Sequence, residues 1–126
     1  MSDDYARIAS ALRTMADRLD TLAGLDLPER PYVGVSIEPG GLRLGPGPDD
    51  DVTIAAVDAV SRALLDTPGV SYRVSGDTWH HRTGGRVGPV RVDVFDLVGD
   101  PERRRMRDEL AQLRAQLAER DAEVTP

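Results

Sequence analysis

Any acid–base or metal chemistry in this chain has to begin with His80 and His81, its only two imidazoles. Neighbours on a β-strand point to opposite faces, so the two rings cannot easily share a metal ion or a substrate. In the strand register derived below, His81 falls on the core side beside Gly88. His80 falls on the outer side, between Arg73 and Arg82. The acids nearest in that pairing are Asp77 and Asp93, and no third ligand stands out. The chain has no cysteine, which excludes thiol catalysis, disulfides and Cys-based zinc sites. Ser61, Ser71 and Ser75 lack a nucleophile-elbow context, and too few His and Asp residues are expected in convergent positions to complete a triad. Gly40-Gly41 and Gly45-Pro46-Gly47 lack the following Lys-Ser/Thr of a phosphate loop. No catalytic residue, cofactor or metal is therefore expected. A small hydrolase or nuclease built on one of the histidines is the weakest of three functional classes.

Binding chemistry is better represented. The expected outer face of the sheet collects Arg73, His80, Arg82 and Arg91, with Thr78, Asp93 and Phe95 alongside. Cations interleaved with an aromatic suit phosphates or an acidic protein patch, so a nucleic-acid-associated regulator is the second class. Charge weighs against it. The net charge is −6, and broad nucleic-acid affinity depends on neutralising phosphates. Residues 67–99 carry four Arg against three acids, so a local basic face is compatible with the acidic whole. Arg103, Arg104, Arg105 and Arg107 form a second basic cluster at a helix start, where the helix dipole disfavours cations. Glu102, Asp108 and Glu109 largely offset it, so it reads as a solvated charged face with Arg104–Asp108 and Arg105–Glu109 pairs. All 16 cations are Arg and none is Lys, which reads as coding bias from a GC-rich genome.

The elements that must position these residues are legible from periodicity. Residues 1–24 predict an amphipathic helix from Asp3 or Asp4 to Leu22, stopped at Gly24. Residues 25–31 read as a Pro-containing linker. Residues 32–98 predict an α+β core. It starts with a hairpin, in which Val33, Val35 and Ile37 alternate and Leu42-Arg43-Leu44 returns after Pro39-Gly40-Gly41. Gly45-Pro46-Gly47-Pro48 is a loop. A helix over 51–66 follows, with an Asp cap and an inward stripe of Ile54, Val57, Val60 and Leu64.

A three-stranded antiparallel meander over 70–97 completes the core. Two-residue turns at Gly76-Asp77 and Gly84-Gly85 put Val70, Tyr72, Val74, Trp79, Val90, Val92 and Val94 on one face. Trp79 is then the central packing residue. Pro89 faces His80 with its missing N–H turned away, which makes the far side of that strand a sheet edge. Asp100-Pro101-Glu102 starts a coiled-coil-like helix over 100–121.

The two terminal helices carry the strongest functional signal. Ile8, Leu12, Met15, Leu19 and Leu22 recur at alternating steps of four and three, as do Met106, Leu110, Leu113 and Leu117. Such spacing lays an apolar seam along each helix, and a seam needs a partner. The favoured class is therefore a non-enzymatic interaction, assembly or small regulatory protein. It is expected to be a homodimer that self-associates through its terminal helices, with Met106, Leu110, Leu113 and Leu117 at the interface and an unidentified protein partner besides. No apolar run approaches the ~20 residues that span a bilayer, and the acidic N-terminus lacks a secretory signal. No membrane association is expected, and a cytoplasmic location is the simplest.

The order of elements, together with Asp77-Thr78-Trp79-His80-His81, Gly88-Pro89-Val90-Arg91-Val92-Asp93-Val94-Phe95 and the Asp-Pro-Glu-led Arg/Leu/Ala helix, resembles small uncharacterised proteins of actinobacterial phages and integrative mobile elements. The resemblance implies a phage or mobile-element setting and brings no activity or functional residue with it.

Overall fold

The computed structural model describes residues 3–41 and 50–124, in two units, Met1–Pro31 and Tyr32–Pro126. The expected strand Leu42-Arg43-Leu44 and the Gly45–Pro48 loop lie outside the described residues. The first unit is α1 (Asp4–Asp20), with Asp4 in its first turn and Arg18 in its last, matching the dipole. Gly24, at φ +84°, takes the left-handed conformation that follows the helix end. None of the helix is buried, and its seam residues from Ile8 to Leu19 are about half exposed.

The second unit contains β1 (Val33–Ile37), α2 (Asp50–Leu65), β2 (Val70–Ser75), β3 (Thr78–Val87), β4 (Val90–Val98) and α3 (Pro101–Val124). The class is α+β, as expected, but the sheet is mixed. Its order is β1-β4-β3-β2, with β1 parallel to β4 and the other pairs antiparallel. β1 does not sit beside the next strand in the chain. The connection through α2 carries β2 to the opposite edge, and β1 closes the free side of β4, with Val35 beside Val92 and Ile37 beside Val94.

Two register expectations are corrected. Gly84-Gly85 is not a turn. β3 runs straight through it, and the chain reverses at Gly88-Pro89 with Val87 opposite Val90. Gly88 sits at φ +58°, the positive-φ first position that Gly fills freely. A turn at Gly84-Gly85 would have left Pro89 inside β4, a strand paired on both sides, where a residue without an N–H loses a ladder bond. Placing Pro in the reversal removes that cost. β4 is thus no edge on its far side.

The first hairpin begins as expected, with Ser75 opposite Thr78 and Gly76 at φ +49°. An irregularity at Val74 then shifts the ladder, so Arg73 faces Trp79, Tyr72 faces His80 and Ser71 faces His81. One extra residue turns the rest of the strand over. Val70 and Tyr72 therefore leave the packed face and are more than half exposed.

α2 covers one face of the sheet. Val57 of the helix meets Val92 and Val94, with Val60, Leu65 and Val90 packed around them, and Val98 is also fully buried. The expected stripe is rotated: Thr53, Val57 and Ser61 face inward, while Leu64 is 42% exposed. Trp79 is not the centre. It lies at the end of β3 beside Val98, half-buried, against the start of α3. The core is thin, aliphatic and unusually polar, since Thr53, Ser61, His81 and Asp96 share its interior.

α3 starts as its sequence requires. Glu102 N–H donates to Asp100 Oδ1 at 2.9 Å, and Pro101 occupies the first helical position. Beyond Arg104, every side chain of α3 described, through Glu123, is exposed.

Candidate functional site

The two histidines do part to opposite faces. His81 turns inward and is nearly buried, with α2 lying over that face. Its Nε2 lies 2.7 Å from Asp58 Oδ1 on α2, and its Nδ1 lies 2.9 Å from Ser71 Oγ on β2. A carboxylate only accepts, so Nε2 carries the proton. In the neutral ring Nδ1 then accepts from the Ser71 hydroxyl. Asp58 Oδ1 also accepts the Gly69 N–H at 2.8 Å. The acid at the His81 ring is therefore Asp58, twelve residues before the start of the strand that holds Ser71, and not Asp77 or Asp93. Sequence reasoning missed it because Asp58 lies on another element. The available signal was a polar residue one position from the inward-facing Val57.

Ser71, His81 and Asp58 are the residue types of an acyl-transfer triad, and they do converge, contrary to the sequence expectation. Asp58 and Ser71 hold opposite nitrogens of the imidazole, Gly69 lies close against both that ring and Val57, and the shared carboxylate oxygen also holds a backbone amide. This arrangement ties the middle of α2, Gly69 in the connection that follows it, and two strands together. A second buried carboxylate, Asp96, does similar work nearby: its Oδ2 accepts the Gly40 N–H at 2.6 Å and its Oδ1 accepts the Leu97 N–H at 2.9 Å. Among the described residues, no three His, Asp or Glu side chains converge as a metal site.

On the open face of the sheet, His80 stacks on Phe95 with ring centroids 5.2 Å apart. Arg82 and Arg91 lie beside them, and the Nη2 of each reaches the same Asp93 oxygen, at 3.1 and 3.3 Å. His80, Arg82, Asp93 and Phe95 line one shallow hollow with Ser36. Of the residues expected on this face, His80, Arg82, Asp93 and Phe95 are thus brought together, with Arg91 joined to them through Asp93. The shift at Val74 sets Arg73 opposite Trp79, and His80 lies across from Tyr72 instead; Arg73 lines a wider hollow with Tyr72, Arg82 and Arg91. Asp93 offsets part of the charge, while Arg86, cross-strand from Arg91, adds an exposed cation.

The basic start of α3 is resolved into separate pairs. Arg104 is not solvated: its side chain is 15% exposed and its Nε lies 3.9 Å from Asp50 Oδ2. Asp50 Oδ2 also accepts the Gly99 N–H at 2.9 Å, so one carboxylate holds both the end of β4 and the first turn of α3. Arg103 meets Asp77, Arg105 meets Glu102 and Arg107 meets Asp108, in place of the expected pairs four residues apart. The remaining feature is the seam. Met106, Leu110, Leu113 and Leu117 are between 47% and 61% exposed, and a shallow apolar groove is lined by Met106, Arg107, Glu109, Leu110 and Leu113. Among the described residues, no helix is long and apolar enough to cross a membrane.

Compared with protein-family models, curated proteins and solved structures, the chain matches none.

Proposed function

We propose that this protein is a non-enzymatic interaction module, an assembly component or small regulator, that self-associates as a homodimer through its terminal helices. The observation that carries this reading is α3. After its first turn the described side chains of the helix are exposed, and four large apolar ones along one side of it remain half exposed. An unpaired helix with so few apolar contacts is marginal in water, and pairing is what stabilises such an element. The resemblance to phage and mobile-element proteins suggests the setting, and a cytoplasmic location agrees with it. Sedimentation equilibrium tests the proposal: the wild type is expected to be a dimer at micromolar concentration and Leu113→Asp a monomer. A monomeric wild type would remove it.

A second reading draws on the open sheet face, where Arg82 lies beside the His80–Phe95 stack and Arg86 and Arg91 pair further along the same strands. Stacked aromatics beside cations suit single-stranded nucleic acid. RNA or DNA binding that survives moderate salt and disappears in Arg82→Glu/Arg86→Glu would favour this reading over the first.

A further inference from the structure

We infer that the occupant of the α3 seam is a second copy of the same helix, lying parallel and in register, with the two sheet units at the same end. This rests on the self-association proposed above and specifies its geometry. The steps of four, three and four place Met106 and Leu113 at d positions and Leu110 and Leu117 at a positions of a heptad. Glu102 and Glu109 then fall at g, and Arg107 and Arg114 at e.

In a parallel pair each g residue faces the e residue five positions later on the other helix. That sets Glu102 against Arg107 of the second copy and Glu109 against its Arg114, and two-fold symmetry repeats both contacts. In an antiparallel pair g faces g and e faces e. Full overlap of the seam would then set Glu102 against Glu123 and Arg107 against Arg114, again twice each. One orientation makes every such charged contact attractive, and the other makes them repulsive. The heptad flanks therefore discriminate between orientations by like-charge repulsion as well as by attraction.

The protomer leaves these groups available. Glu109 and Arg114 make no ion pair among the described residues, and the pairs of Glu102 with Arg105 and Arg107 with Asp108 are exposed. Met106, Arg107, Glu109, Leu110 and Leu113 line one groove, which is the set of d, e, g and a positions that receives a knob from a facing helix.

Arg114→Glu separates the orientations because its effect has opposite sign in each. In the parallel dimer it sets Glu109 against a new carboxylate, and the dissociation constant should rise on the order of five- to tenfold. In an antiparallel dimer it would face Arg107 and tighten association. Adding Glu109→Arg to the parallel dimer should restore wild-type affinity. A second measurement uses the absence of native cysteine. Arg120→Cys, at the next d position, brings the two introduced thiols face to face in the parallel dimer, so mild oxidation should crosslink it. In the antiparallel alignment they stand roughly 25 Å apart along the axis, far beyond disulfide reach. A monomeric wild type overturns the self-association and this inference together. A dimer that tightens on Arg114→Glu, or fails to crosslink through Arg120→Cys, overturns only the parallel arrangement.

Discussion

Replacing Asp58 with Ala should destabilise the sheet unit by about 2–3 kcal/mol, and replacing it with Asn by only about 1 kcal/mol. The difference follows from one oxygen. Asp58 Oδ1 accepts both the Gly69 N–H and the His81 Nε2–H, at 2.8 and 2.7 Å. Hydrogen bonds to a charged acceptor are worth roughly 1.5–3 kcal/mol each. The Asp58 side chain is 21% exposed, so water takes over part of the loss, and the two bonds together fall short of their full sum. Ala removes both and strands a nearly buried imidazole N–H. Asn keeps a single oxygen with two lone pairs in the same place, so it can accept from both donors and loses only the charge assistance. Urea unfolding followed by the fluorescence of Trp79, the sole tryptophan, reads the sheet directly. With a slope of about 1–3 kcal/mol per molar, Asp58→Ala should lower the midpoint by about 0.7–3 M at unchanged slope. Adding Ser71→Ala should cost less in the Asp58→Ala background than in the wild type, since the ring between them is already released. A cost for Asp58→Ala below about 0.5 kcal/mol would refute the tie. If Asn proved as damaging as Ala, the carboxylate would be acting by charge and the shared-acceptor reasoning would be wrong.

Two further outcomes test the same interior. Ser61 is fully buried with an unpartnered hydroxyl. Ser61→Ala should therefore be neutral or stabilise by up to about 1 kcal/mol, which the urea midpoint would show. A Cβ at residue 69 would stand 3.0 Å from the His81 ring and 3.2 Å from Val57. Gly69→Ala should thus cost about 1–3 kcal/mol by displacing the imidazole, despite a backbone that tolerates Ala, and an unchanged midpoint would show the site can relax.

Local signals located the elements well wherever a few neighbouring residues set the answer. Asp100-Pro101 capped and opened α3, Gly76 supplied the positive φ of the first hairpin turn, and alternation in Val90–Val98 marked the strand that became the centre of the sheet. The seam of α3 was equally legible, because helical spacing is a property of the helix alone. That His80 and His81 would part to opposite faces followed from the pleat.

Other features depended on groups that the chain brings together from a distance. Both Gly84-Gly85 and Gly88-Pro89 are chemically fit to turn, and the choice came from β1 pairing on the far side of β4, which leaves no place for Pro89 inside that strand. The irregularity at Val74 moved Arg73 from opposite His80 to opposite Trp79 and exposed Val70 and Tyr72, because a shift of one residue changes every pairing beyond it. Asp58 and Asp50 became anchors only once α2 lay on the sheet, bringing them to His81 and to Gly99 with Arg104. Element type is determined by spacing within a few residues, whereas pairing and burial are determined by competition among all segments for the same neighbours. The sequence therefore settled which pieces form, and tertiary contact decided which of their side chains meet.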